Sequence, residues 1–343
     1  MARGTAQTPG PAAHDAVGAA LSADAAIEIE LNAAIVTLEK DQPQILIAHA
    51  AERGDPLWDG LPFGPFTPLE HRTLEIGLRS WVREQTGLEL GYVEQLYTFG
   101  DRGRHAERGD RGPHVVSIGY LALTPHGAEA PGTGTAWRSW YHYFPWEDRR
   151  AGEPDILARE IKPRLRDWAK QRDDAGASHH PLSRAERLNV CFAMDGGNWD
   201  EEKVLERYEL LYEAGLVAEA RRDGREAAMV WENPPALGRA MQFDHRRVLA
   251  TAMGRLRAKL KYRPVIFELL PASFTLYQLQ RTVEAIFGSH LHKQNFRRLV
   301  ENAGLVEPTG DVNRRTGGRP AKLYRFRREV LLERPAPGVR VRS

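Results

Sequence analysis

The residues best suited to chemistry in this sequence are basic and amide side chains near its carboxyl end, arranged with helical spacing. Phe296, Leu299, Val300 and Ala303 recur at i, i+3, i+4 and i+7, which predicts a helix from about His292 to Ala303 with one buried face. The outward positions then carry Lys293, Gln294, Asn295, Arg297 and Arg298. Arginine can bond guanine through two donors, and asparagine or glutamine can bond adenine, so this helix has the chemistry to recognise bases in a major groove.

A second basic group follows in a segment that predicts a β-hairpin. Leu305 to Glu307 and Leu323 to Phe326 have the pattern of two short strands, and the loop between them contains Gly317 and Gly318. The basic residues of this loop are Arg314, Arg315, Arg319 and Lys322. A flexible loop of this kind places positive groups on phosphates or in a minor groove.

A further helix is predicted just before the outward basic residues. Thr275 and Gln278 have the spacing of a capping box, and Gly288 marks the end of the helix. Any one of the arginines is more often a solvated surface residue. Helix, turn, helix, hairpin and clustered charge nevertheless coincide within about 60 residues, which predicts a winged helix-turn-helix at 263–330 that binds double-stranded DNA.

Charge and composition agree with a separate basic module. The chain has 343 residues and a net charge of +2, but the part from Arg255 onward has 19 lysines and arginines against 7 acidic residues. That part therefore carries +12 and the rest −10, which is typical of DNA binding confined to one domain. With one cysteine and no apolar run long enough to cross a membrane, we expect a cytoplasmic protein. Residues 1–24 are expected to be a disordered arm, and 331–343 a basic tail.

The first half of the chain predicts an α+β domain at 25–170. Ile27 to Leu38 and Gln44 to Ala48 read as a hairpin, and Thr67, Pro68 and Glu70 have the marks of a helix start, with Gly87 as the stop. More strands are predicted at about Tyr92 to Phe99, Val115 to Leu123 and Trp137 to Phe144. The aromatic residues around the last strand could stack on nucleic acid, but packing is the better interpretation in an acidic segment.

The middle of the chain, 182–262, is predicted to be helical. Asp200 is a plausible cap before Val204, and Phe243 to Tyr262 reads as one long helix that links domains or pairs in a dimer. Gln171 to Pro181 is the best linker candidate, and His179 with His180 belongs to it, since no metal ligands lie at suitable spacing. We predict no metal site.

Seven stretches of the sequence together match a known family. They are Tyr92 to Asp101, Val115 to Leu123, Phe243 to His245, Tyr262 to Pro271, Phe274 to Leu276, Asn295 to Arg298 and Gly317 to Phe326. The sequence resembles the Nudix-related transcriptional regulators of NAD metabolism, the NrtR and NadQ type. The resemblance covers about 27–146 and 243–327, and its C-terminal part is the more specific one. It implies a Nudix-like α/β/α sandwich before the winged helix, and a homodimer on a palindromic operator. The implied task is repression of NAD biosynthesis or salvage genes, with an adenine or nicotinamide nucleotide as effector.

The Nudix signature itself is degenerate. Its carboxylates hold divalent cations against a pyrophosphate. When the signature is aligned on Gly87, Ser80 and Trp81 stand at its Arg-Glu pair, and Glu84 and Gln85 stand at its Glu-Glu pair. Only one carboxylate remains, and an alternative alignment on Gly64 and Glu70 loses the Arg-Glu pair as well. We therefore expect no catalytic residues, no catalytic cofactor and no useful pyrophosphatase activity.

A Nudix-like cleft without its metal could still bind a nucleotide. Aromatic residues near its expected mouth could stack on adenine, and basic residues could meet phosphates, although core packing or loop surface is the commoner role for each. The predicted effector-binding residues are Trp58, Phe63, Arg79, Tyr97, Phe99, Asp101, Arg102, Arg104 and Arg111. ADP-ribose, NAD and ATP share an adenosine diphosphate portion, so the effector is left open among them.

Two other functions compete with a ligand-responsive repressor. The chain could be a Nudix-type pyrophosphatase acting on ADP-ribose or NAD with an appended binding domain. It could instead be an interaction module in which the winged helix contacts proteins. Charge reversal at Arg297 and Arg298 separates these possibilities, because only a DNA reader should lose operator affinity.

Overall fold

The computed structural model describes residues 27–48, 58–101, 114–125, 134–171, 181–314, 320–333 and 338. Its N-terminal part is built on a mixed six-stranded sheet in the order β4-β5-β1-β2-β6, with β3 also paired to β1. The strands are β1 Ile27–Glu39, β2 Gln42–Ala48, β3 Phe63–Pro65, β4 Tyr92–Phe99, β5 His114–Leu123 and β6 Thr135–Ser139. The parallel β1 and β5 pair over ten residues and form the centre of the sheet.

A helix covers each face of this sheet, as alternation along β1 requires. Leu31, Ala33 and Ile35 pack in one cluster with residues of α1, Leu74–Thr86. Ala34 and Val36 point to the opposite face and pack in a second cluster that includes α7, His245–Leu260. Successive strand residues face opposite sides of a sheet, so β1 contributes side chains to both hydrophobic clusters. The result is an α/β/α sandwich.

The predicted start of the first helix was wrong. The helix was expected to begin at Thr67, but Thr67 forms a turn in which its carbonyl accepts from the amides of Glu70 and His71. The helix begins at Leu74 instead, and the hydroxyl of Thr73 caps it by accepting from the amide of Ile76 at 3.2 Å. The predicted stop at Gly87 is confirmed, with a positive φ of 69°.

The last strand predicted in this domain, at about Trp137 to Phe144, was also too long. β6 ends at Ser139, which pairs with Gln44 near the start of β2. Two short 3-10 helices follow at Trp140–His142 and Pro145–Glu147. Trp140, Tyr143 and Phe144 are fully buried. The packing interpretation of these aromatics is therefore confirmed, and they are closed to nucleic acid.

Short helices fill the region between the sheet and the C-terminal domain. They are α2 Lys162–Lys170, which continues a π-helical turn at Leu157–Ile161, then α3 Arg184–Phe192, α4 Val204–Glu213, α5 Ala218–Arg222 and α6 Glu226–Met229. The prediction of Asp200 as the cap of α4 was wrong. Lys203 occupies the cap position, while Asp200 closes a turn by accepting from the amide of Glu202 at 3.0 Å.

The long helix predicted near Phe243 to Tyr262 is α7. It packs on β1, β4, β5 and α4, and Val248, Met253 and Leu256 on it are fully buried. It therefore forms one layer of the sandwich. The predicted linker falls largely on 172–180, outside the described residues, as does the predicted arm; the proposed domain limits stay predictions.

The C-terminal part is a winged helix. It contains α8 Leu276–Phe287, α9 Lys293–Ala303, the antiparallel pair β7 Val306–Asn313 and β8 Ala321–Phe326, and the short α10 Val330–Glu333. The capping box of Thr275 and Gln278 and the left-handed Gly288 are confirmed. Phe267 stacks on Phe326 at 4.3 Å between ring centres, which fixes the wing to the preceding segment.

A buried ionic cluster joins the winged helix to the rest of the chain. Glu147, Arg207 and Arg257 have side chains with no exposed surface. Nε of Arg207 lies 2.6 Å from one carboxylate oxygen of Glu147, and Nη1 of Arg257 lies 2.6 Å from the other. Burial alone would raise the pKa of Glu147, but the two guanidinium groups outweigh it and lower that pKa.

The same cluster holds the end of α8. Nε of Arg257 donates to the carbonyl of Ile286 at 2.8 Å, and the hydroxyl of Tyr141 donates to the carbonyl of Ala285 at 2.7 Å. Gly288 follows directly, and a side chain there would collide with the carbonyl of Glu147. The winged helix is therefore attached to the sandwich by buried polar contacts.

Candidate nucleic-acid interface and effector site

The outward face of α9 carries the predicted base-reading residues. Phe296 and Val300 on the opposite side are buried, with 1% and 0% of their surface exposed. The predicted outward set is exposed throughout: Lys293, Gln294, Asn295, Arg297 and Arg298. These residues extend roughly 8 Å along the helix axis. The structure thus places the set on the broad exposed side of α9, away from Phe296 and Val300.

One hydrogen bond lies within this set. Nη2 of Arg298 donates to Oδ1 of Asn295 at 2.8 Å. The contact uses one guanidinium donor and the amide oxygen, so the donors not used in it could be offered to base edges.

The structure describes two of the four predicted basic residues of the wing. Arg314 and Lys322 are exposed. Arg315 and Arg319 lie outside the described residues. Thr309 braces the hairpin, since its hydroxyl donates to the carbonyl of Leu323 at 3.3 Å and accepts from the amide of Asp311.

The residues predicted to stand at the signature positions have structural contacts. The indole NH of Trp81 donates to the carbonyl of Pro65 at 2.7 Å, and its ring covers Gly64, where a side chain would collide with it. Gln85 bonds both the amide and the carbonyl of Phe63. Hydrogen bonds from these two side chains therefore hold β3 against α1, at positions where the predicted signature would have carboxylates.

The other two signature positions face each other. The hydroxyl of Ser80 donates to Glu84 at 3.0 Å, so the one remaining carboxylate has a local partner. Within the described parts of the chain, no group of three or more histidine, cysteine, aspartate or glutamate side chains is arranged to hold a metal ion.

The predicted effector residues do not form one group. The guanidinium of Arg79 has structural partners, because it pairs with Glu75 and donates to the carbonyls of Leu90 and Gly91. Trp58 is half-buried beside Arg222, 5.2 Å from its guanidinium carbon. Arg102, Arg104 and Arg111 lie outside the described residues.

Four of the predicted effector residues nevertheless lie near the amino end of α7. Tyr97 is 61% exposed and packs on the buried Phe99, and Arg247 of α7 lies over the Phe99 ring and pairs with Asp101. Phe63 lies on β3, and its ring packs against those of Phe243, just before α7, and of His245, the first residue of α7.

The structure adds a polar group at this end of α7 that the sequence patterns did not single out. Glu30 and Asn32 of β1, Ser117 of β5 and His245 of α7 lie together, bordered by the rings of Phe63 and Phe243; we call these six residues the Glu30 cluster. Nδ2 of Asn32 donates to Oγ of Ser117 at 2.9 Å, and that hydroxyl lies 3.5 Å from Oε1 of Glu30. Nε2 of His245 lies 4.0 Å from the same oxygen.

Comparison with known proteins agrees with this architecture. Residues 266–326 match the NrtR DNA-binding winged helix domain. A curated relative, the ADPR responsive transcriptional repressor NtrR of Acinetobacter baylyi, is 43% identical over 91 residues, which are 26% of this chain and 36% of that protein. The match thus spans about a third of the relative's length.

Solved structures resemble the chain over most of its length. NrtR of Shewanella oneidensis in complex with a 27mer DNA has a TM-score of 0.52 at 20% identity, covering 88% of this chain and 94% of that one. A MutT/nudix family protein from Enterococcus faecalis has a TM-score of 0.50 at 15% identity, covering 88% and 86%. The expected fold, a Nudix-like sandwich followed by a winged helix, is confirmed, and so is the resemblance to NrtR. No helix in the described parts is long and apolar enough to cross a membrane.

Proposed function

We propose that this chain, whose residues 266–326 are a winged helix of the NrtR type, is a ligand-responsive repressor that binds double-stranded DNA. The observation that carries the proposal is the face of α9. Five basic or amide side chains are exposed there, on a helix whose other side is anchored by Phe296 and Val300. The resemblance to the NrtR and NadQ regulators further implies a homodimer on a palindromic operator near genes of NAD biosynthesis or salvage.

We propose two roles for the predicted DNA-binding residues. Gln294, Asn295, Arg297 and Arg298 read base edges, while Lys293 and the wing residues Arg314, Arg315, Arg319 and Lys322 contact phosphates. Phosphate contacts add affinity that falls as salt rises, and base contacts add discrimination between sequences. The two kinds of residue can therefore be told apart by experiment.

Binding to operator and to random duplex, measured by fluorescence anisotropy at several salt concentrations, tests the proposal. Arg297→Ala and Arg298→Ala should each lower operator affinity about tenfold or more, because a bidentate contact to guanine contributes about 1–3 kcal/mol. Arg159→Ala is the control, since Arg159 is equally basic and 76% exposed but lies far along the chain from α9. Equal affinity of the wild type for operator and random DNA would show that the proposal is wrong.

The proposed effector is ADP-ribose, which the name of the Acinetobacter relative supports; NAD and ATP are the alternatives. The sandwich binds it without hydrolysis. This is supported by Trp81 and Gln85, which bond the backbone of β3 at positions where a Nudix hydrolase would have metal-binding carboxylates.

A hydrolase is the competing function, because the sandwich has the Nudix fold. Incubation of ADP-ribose with a high concentration of protein and magnesium should release no AMP. Thermal-shift measurements with ADP-ribose, NAD and ATP should meanwhile show stabilisation by the effector, since a ligand that binds only the folded state raises its stability.

A further inference from the structure

We infer that the Glu30 cluster binds the uncharged, donor-rich part of the nucleotide effector, namely a ribose diol or the amino group of the base. This inference rests on the proposed function, because it locates the ligand of the same regulator. It also assigns roles to Glu30, Asn32 and Ser117, none of which was predicted as a site residue from the sequence.

The hydrogen-bond directions in the cluster leave one acceptor unused. The amide nitrogen of Asn32 donates to the hydroxyl of Ser117, and that hydroxyl donates its own proton toward Glu30. Oδ1 of Asn32 then has no hydrogen-bond partner among the described residues, although Asn32 is completely buried. A buried carbonyl oxygen without a donor is unfavourable and rare in folded proteins. A ligand donor would satisfy it.

The charge of the cluster selects which part of a nucleotide fits. Glu30 keeps 13% of its side chain exposed, so the carboxylate lies at the edge of the cluster toward solvent. Its carboxylate accepts hydrogen bonds and repels phosphate. Hydroxyl and amino groups are donors without negative charge, whereas the pyrophosphate is excluded from this position.

His245 adds a donor of fixed orientation. The backbone amide of Leu61 donates to Nδ1 of His245 at 3.0 Å, so Nδ1 is an acceptor and the ring proton of the neutral imidazole is on Nε2. Nε2 is the atom that lies toward Glu30. The N–H of His245 therefore lies on the side of the carboxylate, at a distance longer than a hydrogen bond, and the contact with Leu61 fixes the ring before a ligand arrives.

Aromatic rings form the wall of the cluster. The ring of Phe63 lies 5.8 Å from that of Phe243 and 5.1 Å from that of His245, in edge-on and tilted arrangements. Phe63 and Phe243 are only partly buried. A sugar face or a base can pack on them while its donors reach Glu30 and Asn32.

The test measures ADP-ribose binding to the full-length protein by isothermal titration calorimetry. Asn32→Leu removes the unused acceptor, and Glu30→Gln keeps the shape of the side chain but removes its charge. Each should weaken binding about tenfold or more, because a hydrogen bond to a buried or charged acceptor is lost. Glu94→Gln is the matched control, since Glu94 is a strand glutamate of the same sheet, 19% exposed, at the far end of the β4 and β5 pair. Its affinity should equal that of the wild type.

Operator binding without ligand, measured in parallel, separates the two proposals. Variants that bind operator normally but ADP-ribose poorly support the inference. Wild-type affinity for ADP-ribose in Glu30→Gln overturns it and leaves the repressor intact, and this variant decides the matter even if Asn32→Leu fails to fold. A wild type that binds operator but no ADP-ribose overturns both the effector and this site. Titration with ADP identifies the bound moiety: an equal loss for ADP and ADP-ribose places the adenosine half here, and a loss confined to ADP-ribose places the terminal ribose here.

Discussion

Replacing Glu147 by glutamine should destabilise the protein more than any single change of an exposed charge. The carboxylate bonds two arginines, and all three side chains are completely buried. Glutamine preserves the volume but removes the negative charge and turns an NH2 group toward one of the guanidinium groups. Breaking a buried ion pair while its partner stays in place costs about 3–5 kcal/mol.

Urea titration followed by tryptophan fluorescence measures this loss. A loss of this size should also lower the melting temperature by about 5–10 °C. Glu75→Gln is the control, because Glu75 pairs with Arg79 at the surface, with 53% of its side chain exposed, and such pairs contribute less than about 1 kcal/mol. If Glu147→Gln differs from the wild type by less than about 1 kcal/mol, the account of the cluster as a necessary ionic contact is wrong.

The same variant tests whether the cluster holds the winged helix in place. Arg257 also donates to the carbonyl of Ile286, so loosening it should free the end of α8. Amide hydrogen exchange at 285–288 should become faster in Glu147→Gln, relative to exchange at the start of α8. Unchanged protection there would mean that the attachment does not depend on Glu147.

Three further outcomes are expected. Gly288→Ala should cost more than about 2 kcal/mol in urea titration, because a side chain at φ 72° would be strained and would also meet the carbonyl of Glu147, whereas Gly196→Ala at φ 86°, with open space around it, should cost only about 1–2 kcal/mol; equal losses would contradict the described packing. Trp81→Glu, which places a carboxylate at a predicted signature position, should lower stability by about 2 kcal/mol through lost packing and should produce no magnesium-dependent release of AMP from ADP-ribose. Hydrolysis of ADP-ribose by this variant would contradict that expectation. Because the pKa of Glu147 is lowered in the folded state from its ordinary value of 4.5, its contribution to stability is complete above that value and is lost as pH falls below it; urea titrations from pH 6 to pH 3 should therefore show a steeper loss for the wild type than for Glu147→Gln.

The parts of the fold that were predictable depend on short-range signals. Thr275, Gln278 and Gly288 fix both ends of α8 through contacts within a few residues, and the structure shows all of them. Thr67 carried an equally good signal but failed, because the chain uses that threonine for a turn and caps the helix with Thr73, six residues later. Two competing caps in one segment cannot be ranked without knowing where the helix must lie on the sheet.

The site was predictable only where one element supplies it. The face of α9 follows from helical spacing alone, and its residues are exposed as expected. The Glu30 cluster could not be found this way, because Asn32 and Ser117 are 85 positions apart and meet only through the parallel register of β1 and β5. The motif from Phe243 to His245 was a weak pointer, since it carried the family resemblance without an assigned role.

The packing of Trp81 on Gly64 makes this part of the sandwich intolerant of single replacements. The indole needs a glycine beneath it, because a side chain at Gly64 would collide with the ring, and its NH needs the carbonyl of Pro65. A carboxylate at position 81 would leave a space over Gly64 and would leave that carbonyl without this donor. We therefore expect that turnover could be introduced here only by several coordinated replacements along β3 and α1.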